Sequence, residues 1–121
     1  MDLEHFYTYC LSKKAATEDL PFDQDTLVFK VGGKIFALTS LKDWENSSAS
    51  VSLKCNPDYA VELRATFEAV TPGYHLNKKH WNSVFFNKDL SDGEILKLID
   101  HSYELVLASL PKKMIQTILE Y

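Results

Sequence analysis

Polar and apolar positions alternate most cleanly at residues 50–55, "SVSLKC". Val51, Leu53 and Cys55 fall on one side of an extended chain, and Ser50, Ser52 and Lys54 on the other, because successive strand side chains point to opposite faces. The pattern predicts a strand with one buried and one open face. The same period runs through "LVFKVGGKIFALT", where Leu27, Phe29 and Val31 share a side that Lys30 does not. Gly32-Gly33 splits that run into two β-rich halves and suits the positive φ angles of a tight hairpin turn.

Elsewhere the period is helical. Leu3, Phe6, Tyr7, Cys10 and Leu11 mark one face of a helix over residues 2–14, with Asp2 as cap and Lys13 and Lys14 at its negative end. "NPDYAVELRATF" opens with Asn56 as cap, Pro57 in the first turn and Asp58 at the positive end of a second helix. Ser91 and Glu94 form a capping box for a helix near 92–109, whose inner stripe is Ile95, Leu98, Ile99, Leu105 and Val106. Pro111 ends it, and Met114, Ile115, Ile118 and Leu119 predict a last short amphipathic helix. Between these, "ATEDLPF" reads as a short extended segment, residues 41–49 as a polar loop and residues 79–86 as a strand. "TPGY" reads as a turn with Pro72 and Gly73 at the central positions of a type II geometry. Helix, strands, helix, strands, helices is the order of an α+β two-layer sandwich, an antiparallel sheet with helices gathered on one face. One domain over residues 1–121 is expected.

Composition adds limits. Hydrophobic residues make up 45% and charged residues 25% of the 121, globular values that permit a core without staples. No apolar run nears the roughly 18 residues of a membrane span, and "MDLEHFYTYC" does not read as a signal peptide. A cytoplasmic address with no membrane partner is expected. Cys10 and Cys55 lie on apolar faces without zinc-ligand spacing, so reduced, buried thiols are expected. The net charge of −4 argues against a strong nucleic-acid binder, since such domains carry a basic field. Residues 69–88 depart from that balance: they hold no Asp or Glu, but contain Lys78, Lys79, Lys88, His75 and His80. A net acidic protein can carry a local positive patch of this kind.

The densest chemistry lies in "PGYHLNKKHWNSVFF", residues 72–86. His75 and His80 are five apart, on opposite sides of a strand and off a common helix face. With no Cys or carboxylate nearby, no metal site is expected. His101 and Glu104 share a helix face and read as a solvated pair. Nucleophile elbow, phosphate loop and zincin motif are all missing, so no enzyme and no cofactor are expected, although a Ser-His-Asp set can assemble from distant residues. Lys78 and Lys79 beside His80, Trp81 and Asn82 suit phosphate contacts, and Asn suits an adenine edge. Arg64 is the one arginine and sits on a helix, so nucleic-acid binding would be backbone-directed and salt-sensitive. The structural reading of the same stretch makes Trp81 a core anchor and the lysines solvated turn residues. On these residues alone the readings stand side by side.

"FKVGGKIFAL", "SLKCNPDYAVELR", "PGYHLNKKHWNSV" and "SYELVLASLPKK", in that order over nearly the whole chain, resemble the MmcQ/YjbR family of small bacterial proteins. The most specific block, PGYHxNKxHWN, is matched by Pro72, Gly73, Tyr74, His75, Asn77, Lys78, His80, Trp81 and Asn82. Leu76 stands where family members often have Met. The resemblance implies a secretion-chaperone-like sandwich, an antiparallel sheet covered by helices. It also implies DNA binding, the label family members commonly carry; with one arginine and a net charge of −4, weak and mainly backbone-directed binding of double-stranded DNA is expected. The same fold implies an alternative, a small protein-binding, chaperone-like module without nucleic-acid binding, monomeric or homodimeric; shared fold alone does not choose. The implied site is the open sheet face with the adjoining turn: Lys30, Lys54, His75, Asn77, Lys78, Lys79, His80 and Asn82. Placing Trp81, Ser83 and Phe85 toward the helices would send His80 and Asn82 outward on that face.

Overall fold

Gly32 and Gly33 take φ angles of +57° and +81°, the left-handed pair a type I′ hairpin turn requires. They join β2 (Thr26–Val31) to β3 (Lys34–Ser40) in the computed structural model, which describes residues 1–74 and 76–120. Around this hairpin the described residues form a six-stranded antiparallel sheet in the order β1-β2-β3-β4-β6-β5. Its other strands are β1 (Thr17–Asp19), β4 (Ser50–Lys54), β5 (Val70–Pro72) and β6 (Trp81–Phe85). The α+β sandwich read from the sequence is the fold observed.

Three of the helices start at a side-chain cap. Asp2 accepts the His5 N–H at the head of α1 (Leu3–Leu11), and Asn56 accepts from Asp58 and Tyr59 at the head of α3 (Pro57–Thr66). Ser91 and Glu94 close a reciprocal capping box on α4 (Asp92–Ala108), and α5 (Lys112–Leu119) follows Pro111. α4 lies across β2, β3 and β4, while α3 packs beside β5. Phe6 of α1 meets Phe29 and Phe86 edge-on, with ring centroids 5.6 and 6.0 Å apart. The core is therefore filled from the sheet face carrying Phe29, Val31, Val51, Leu53 and Val84.

A β-bulge sets the geometry of the sheet centre. Phe29 pairs with Ala37 but Lys30 pairs with Ile35, so Phe36 is an extra residue on β3. The bulge turns Phe36 and Ala37 both inward, each fully buried. It also ends the β3–β4 ladder at Ala37–Leu53. Ser102 of α4 fills the gap: its hydroxyl accepts the Lys54 N–H at 2.9 Å and donates to the Phe36 carbonyl at 2.5 Å. A helix side chain thus satisfies two backbone groups that the splayed strands cannot offer each other.

Three local expectations are corrected. Residues 41–49 are not all loop: Leu41–Glu45 form a helical turn, α2. Trp44 anchors it, donating to Thr39 Oγ1 at 2.9 Å and packing at a tilt against both Phe6 and Phe86. Pro72 belongs to edge strand β5, where a missing N–H is tolerated. Gly73 is not at positive φ, so the turn is not type II. It is required for close approach, since a Cβ there would lie 2.9 Å from Trp81 Cβ and 3.0 Å from the Trp81 carbonyl oxygen.

Candidate functional site

The segment between β5 and β6 is held from below by the lone arginine. Arg64, on α3, donates through Nε to Asn82 Oδ1 at 2.6 Å and through one Nη to the carbonyls of Lys78 and Trp81. Asn77 organises the turn itself. Its carbonyl accepts from the N–H groups of His80 and Trp81, and its Oδ1 accepts the Lys79 N–H at 2.9 Å. Lys78 folds back, its ammonium donating to the Gly73 carbonyl at 3.0 Å. The His80 carbonyl accepts the Cys55 N–H at 2.8 Å and ties the turn to β4. Much of the dense polar stretch is therefore spent on building the connection.

This assigns the anticipated site residues one by one. Asn82 is 1% exposed, bound to Arg64 and within 3.5 Å of the Ala60 carbonyl, so it points into the protein and cannot read a base edge. The inversion extends along β6. Asn82, Val84 and Phe86 face the helices, whereas Trp81, Ser83 and Phe85 lie on the open face. Trp81 is half-buried and not a core anchor. The physical reason is that Val84 and Phe86 fill the core while the Arg64 fork satisfies the one polar residue sharing their side. Lys54 stands opposite Trp81, and Lys30 opposite Ile35, at the hairpin end of the open face. They are two strands apart, roughly 10 Å at ordinary strand spacing. Lys30 pairs with Asp19 at 3.8 Å. Asn77 and Lys79 are exposed and His80 half-buried in the turn beside them; His75 lies outside the described residues. Lys54 and Lys79 are thus the members of the set whose ammonium groups have no partner among the described residues.

The open face holds a feature that sequence reading missed, a cleft of about 400 Å³. Its floor is Leu38 of β3 beside Ser52 of β4 and Ser83 of β6, with Ser40 and Ser50 toward one end and Ile35 toward the other. The Ser52 and Ser83 hydroxyl oxygens lie 3.5 Å apart. Phe22, from the β1–β2 connection, forms one wall; Tyr74 and Leu76, from the β5–β6 connection, form another. Among the described residues no lysine lines it, and Asp43 of α2 is the one charged residue. Volume, apolar walls and a few hydroxyls are the usual description of a binding cleft. The available signal was the polar but uncharged outer row Ser50, Ser52 and Ser83, set among Leu38, Ile35 and Trp81.

Other reactive groups are tied up. Burial pushes the Cys10 thiol up to about 12 and the Cys55 thiol up to about 11, so both free cysteines stay protonated and unreactive at neutral pH. The Ala69 and Glu68 N–H groups donate to Asp89 and hold its carboxyl below the usual range. His101 Nε2 accepts the Asn56 N–H at 3.2 Å, joining α4 to the head of α3. No group of acidic, His and Cys side chains able to hold a metal occurs among the described residues. No described helix is long and apolar enough to cross a membrane.

The family model named YjbR matches residues 11–105. The chain belongs to the YjbR family. YjbR of Escherichia coli K12 is 35% identical over 113 residues, covering 93% of each chain. YbdF of Escherichia coli O157:H7 is 37% identical over 93 residues, or 77% of this chain and 74% of that one. Among solved structures, Deinococcus radiodurans DR2400, a DUF419-domain protein, superposes with a TM-score of 0.88 at 32% identity, covering 97% of this chain and 87% of that chain. A Pseudomonas syringae protein follows with a TM-score of 0.74 at 28% identity, covering 88% and 99%. The names of these relatives and neighbours state no activity and no ligand.

Proposed function

We propose that this YjbR-family chain is an interaction module that takes an extended, largely apolar polypeptide segment on the open face of its sheet. The observation that carries the reading is the cleft, with its apolar walls, its hydroxyl floor and, among the described residues, no lysine in its lining. From Ile35 to Ser40 it follows β3 for roughly 16 Å, the span of about five extended residues. The sheet edges are poor alternatives. β1 presents Glu18 and Asp19, and β5 ends in Pro72, devices that discourage strand addition.

The test is capture from lysate by immobilised protein, with and without nuclease, beside a Leu38→Arg variant that places a charge on the cleft floor. A stoichiometric protein partner, indifferent to nuclease and lost with the variant, is the expected result. Capture unchanged by Leu38→Arg refutes the site.

A second reading, weak binding of double-stranded DNA, is favoured by Lys54, Lys79 and His80 near one end of the same face. Its electrostatic footing is narrow, because Lys78 and Lys30 already have partners within the chain. Fluorescence anisotropy with labelled duplex across a salt series decides it. Micromolar or weaker binding, roughly the non-specific range, that is lost in Lys54→Glu/Lys79→Glu supports DNA. No binding at low salt removes that reading.

A further inference from the structure

We propose that the open-face cleft selects a segment carrying a cationic side chain, Lys or Arg, flanked on the same face by apolar side chains. The inference rests on the interaction-module reading and names what the occupant must present. Asp43 is half-buried on the cleft wall. Its carboxylate has no hydrogen-bond or ion-pair partner among the described residues, unlike its neighbours. Asp25 accepts from Ser40 Oγ at 2.6 Å and from the Lys42 N–H at 2.8 Å, and Asp23 accepts from the N–H groups of Asp25 and Thr26. α2 produces this arrangement by straddling the end of the sheet. Trp44 is drawn to the core side by Thr39 and Phe86, which leaves Asp43 on the cleft side.

The rest of the lining suits a cation on an apolar stem. Phe22 and Tyr74 are 67% and 74% exposed while forming walls of the same cleft, and aromatic faces attract ammonium and guanidinium groups. The aliphatic stem of Lys or Arg packs on apolar surface while its head meets a carboxylate. An anionic segment would meet Asp43 with like charge. A neutral one would leave a half-buried carboxylate desolvated without compensation.

The probe is the capped peptide Ac-Leu-Ser-Lys-Ser-Leu-NH2, whose Leu and Lys side chains share one face when extended. Comparators carry Gln or Glu in place of Lys. Binding is followed by amide chemical-shift changes in 15N-labelled protein, wild type and Asp43→Asn, with the thermal midpoint confirming that the variant is folded. The Lys peptide is expected to perturb Leu38, Ser52 and Ser83 and to bind about fivefold tighter than the Gln peptide, the upper end for a partly exposed ion pair. The Glu peptide should be weakest, and Asp43→Asn should erase the ranking. Equal binding of Lys and Gln peptides at the cleft, or a ranking that survives Asp43→Asn, overturns the cation preference and leaves the cleft reading standing. Absence of any perturbation at the cleft by all three peptides overturns both.

Discussion

Replacing Arg64 by Leu removes the fork that ties α3 to the 77–82 segment, and its cost can be built from the bonds it makes. Asn82 is 1% exposed and its Oδ1 receives Arg64 Nε at 2.6 Å, so the substitution strands a buried acceptor, worth about 1–3 kcal/mol. The carbonyls of Lys78 and Trp81, which accept from the same guanidinium, lie nearer solvent and regain water, so they add little. The expected loss is about 2–3 kcal/mol. With a urea slope on the order of 1.5 kcal/mol/M, the unfolding midpoint falls by roughly 1.3–2 M. Arg64→Lys should recover less than half, because a single ammonium cannot reproduce the planar fork. Arg64→Leu combined with Asn82→Leu should be milder than the sum of the single changes, with a coupling of about 1–2 kcal/mol, since no acceptor is then left stranded. Urea unfolding of the four proteins, followed by circular dichroism, measures the cycle. A loss below about 0.5 kcal/mol for Arg64→Leu, or strict additivity, would refute the claim that this arginine organises the turn.

Ser102→Ala should cost about 1–3 kcal/mol in the same assay, because it abandons the Lys54 N–H and the Phe36 carbonyl at the bulge; a neutral result would mean that the strands close the gap themselves. Ser47 is an exposed residue at φ +58°, so Ser47→Gly should stabilise the protein by about 1 kcal/mol, read as a higher thermal midpoint. The depressed Asp89 carboxyl should contribute stability that is fully present above its unfolded value of about 3.9 and lost as pH falls through the lower folded value. The stability gap between wild type and Asp89→Asn should therefore narrow below about pH 4, and a gap constant from pH 7 to 3 would contradict the assignment.

Local chemistry settled much of the chain by itself. The hairpin at Gly32-Gly33, the Asn56-Pro57 helix start and the Ser91/Glu94 capping box each depend on a few neighbouring residues, so their backbone preferences act before any distant contact forms. The alternation in "SVSLKC" assigned the faces of β4 because only one side is apolar. β6 had no such asymmetry: Trp81 and Phe85 balance Val84 and Phe86. Its orientation was decided in three dimensions by the core contacts of Val84 and Phe86 and by Arg64 reaching Asn82 from a different helix. The family resemblance singled out residues 72–82 but not the division of labour within them, since a motif records residues and not whether they face solvent or a buried guanidinium. α2 read as a polar loop because its one anchor, Trp44, finds Thr39, Phe6 and Phe86 only after the sheet has formed. The cleft was least legible of all. Its walls and floor come from Phe22, Leu38, Asp43, Ser52, Tyr74 and Ser83, residues with no common period, brought together by strand order and register, which pairing and core packing between distant segments determine.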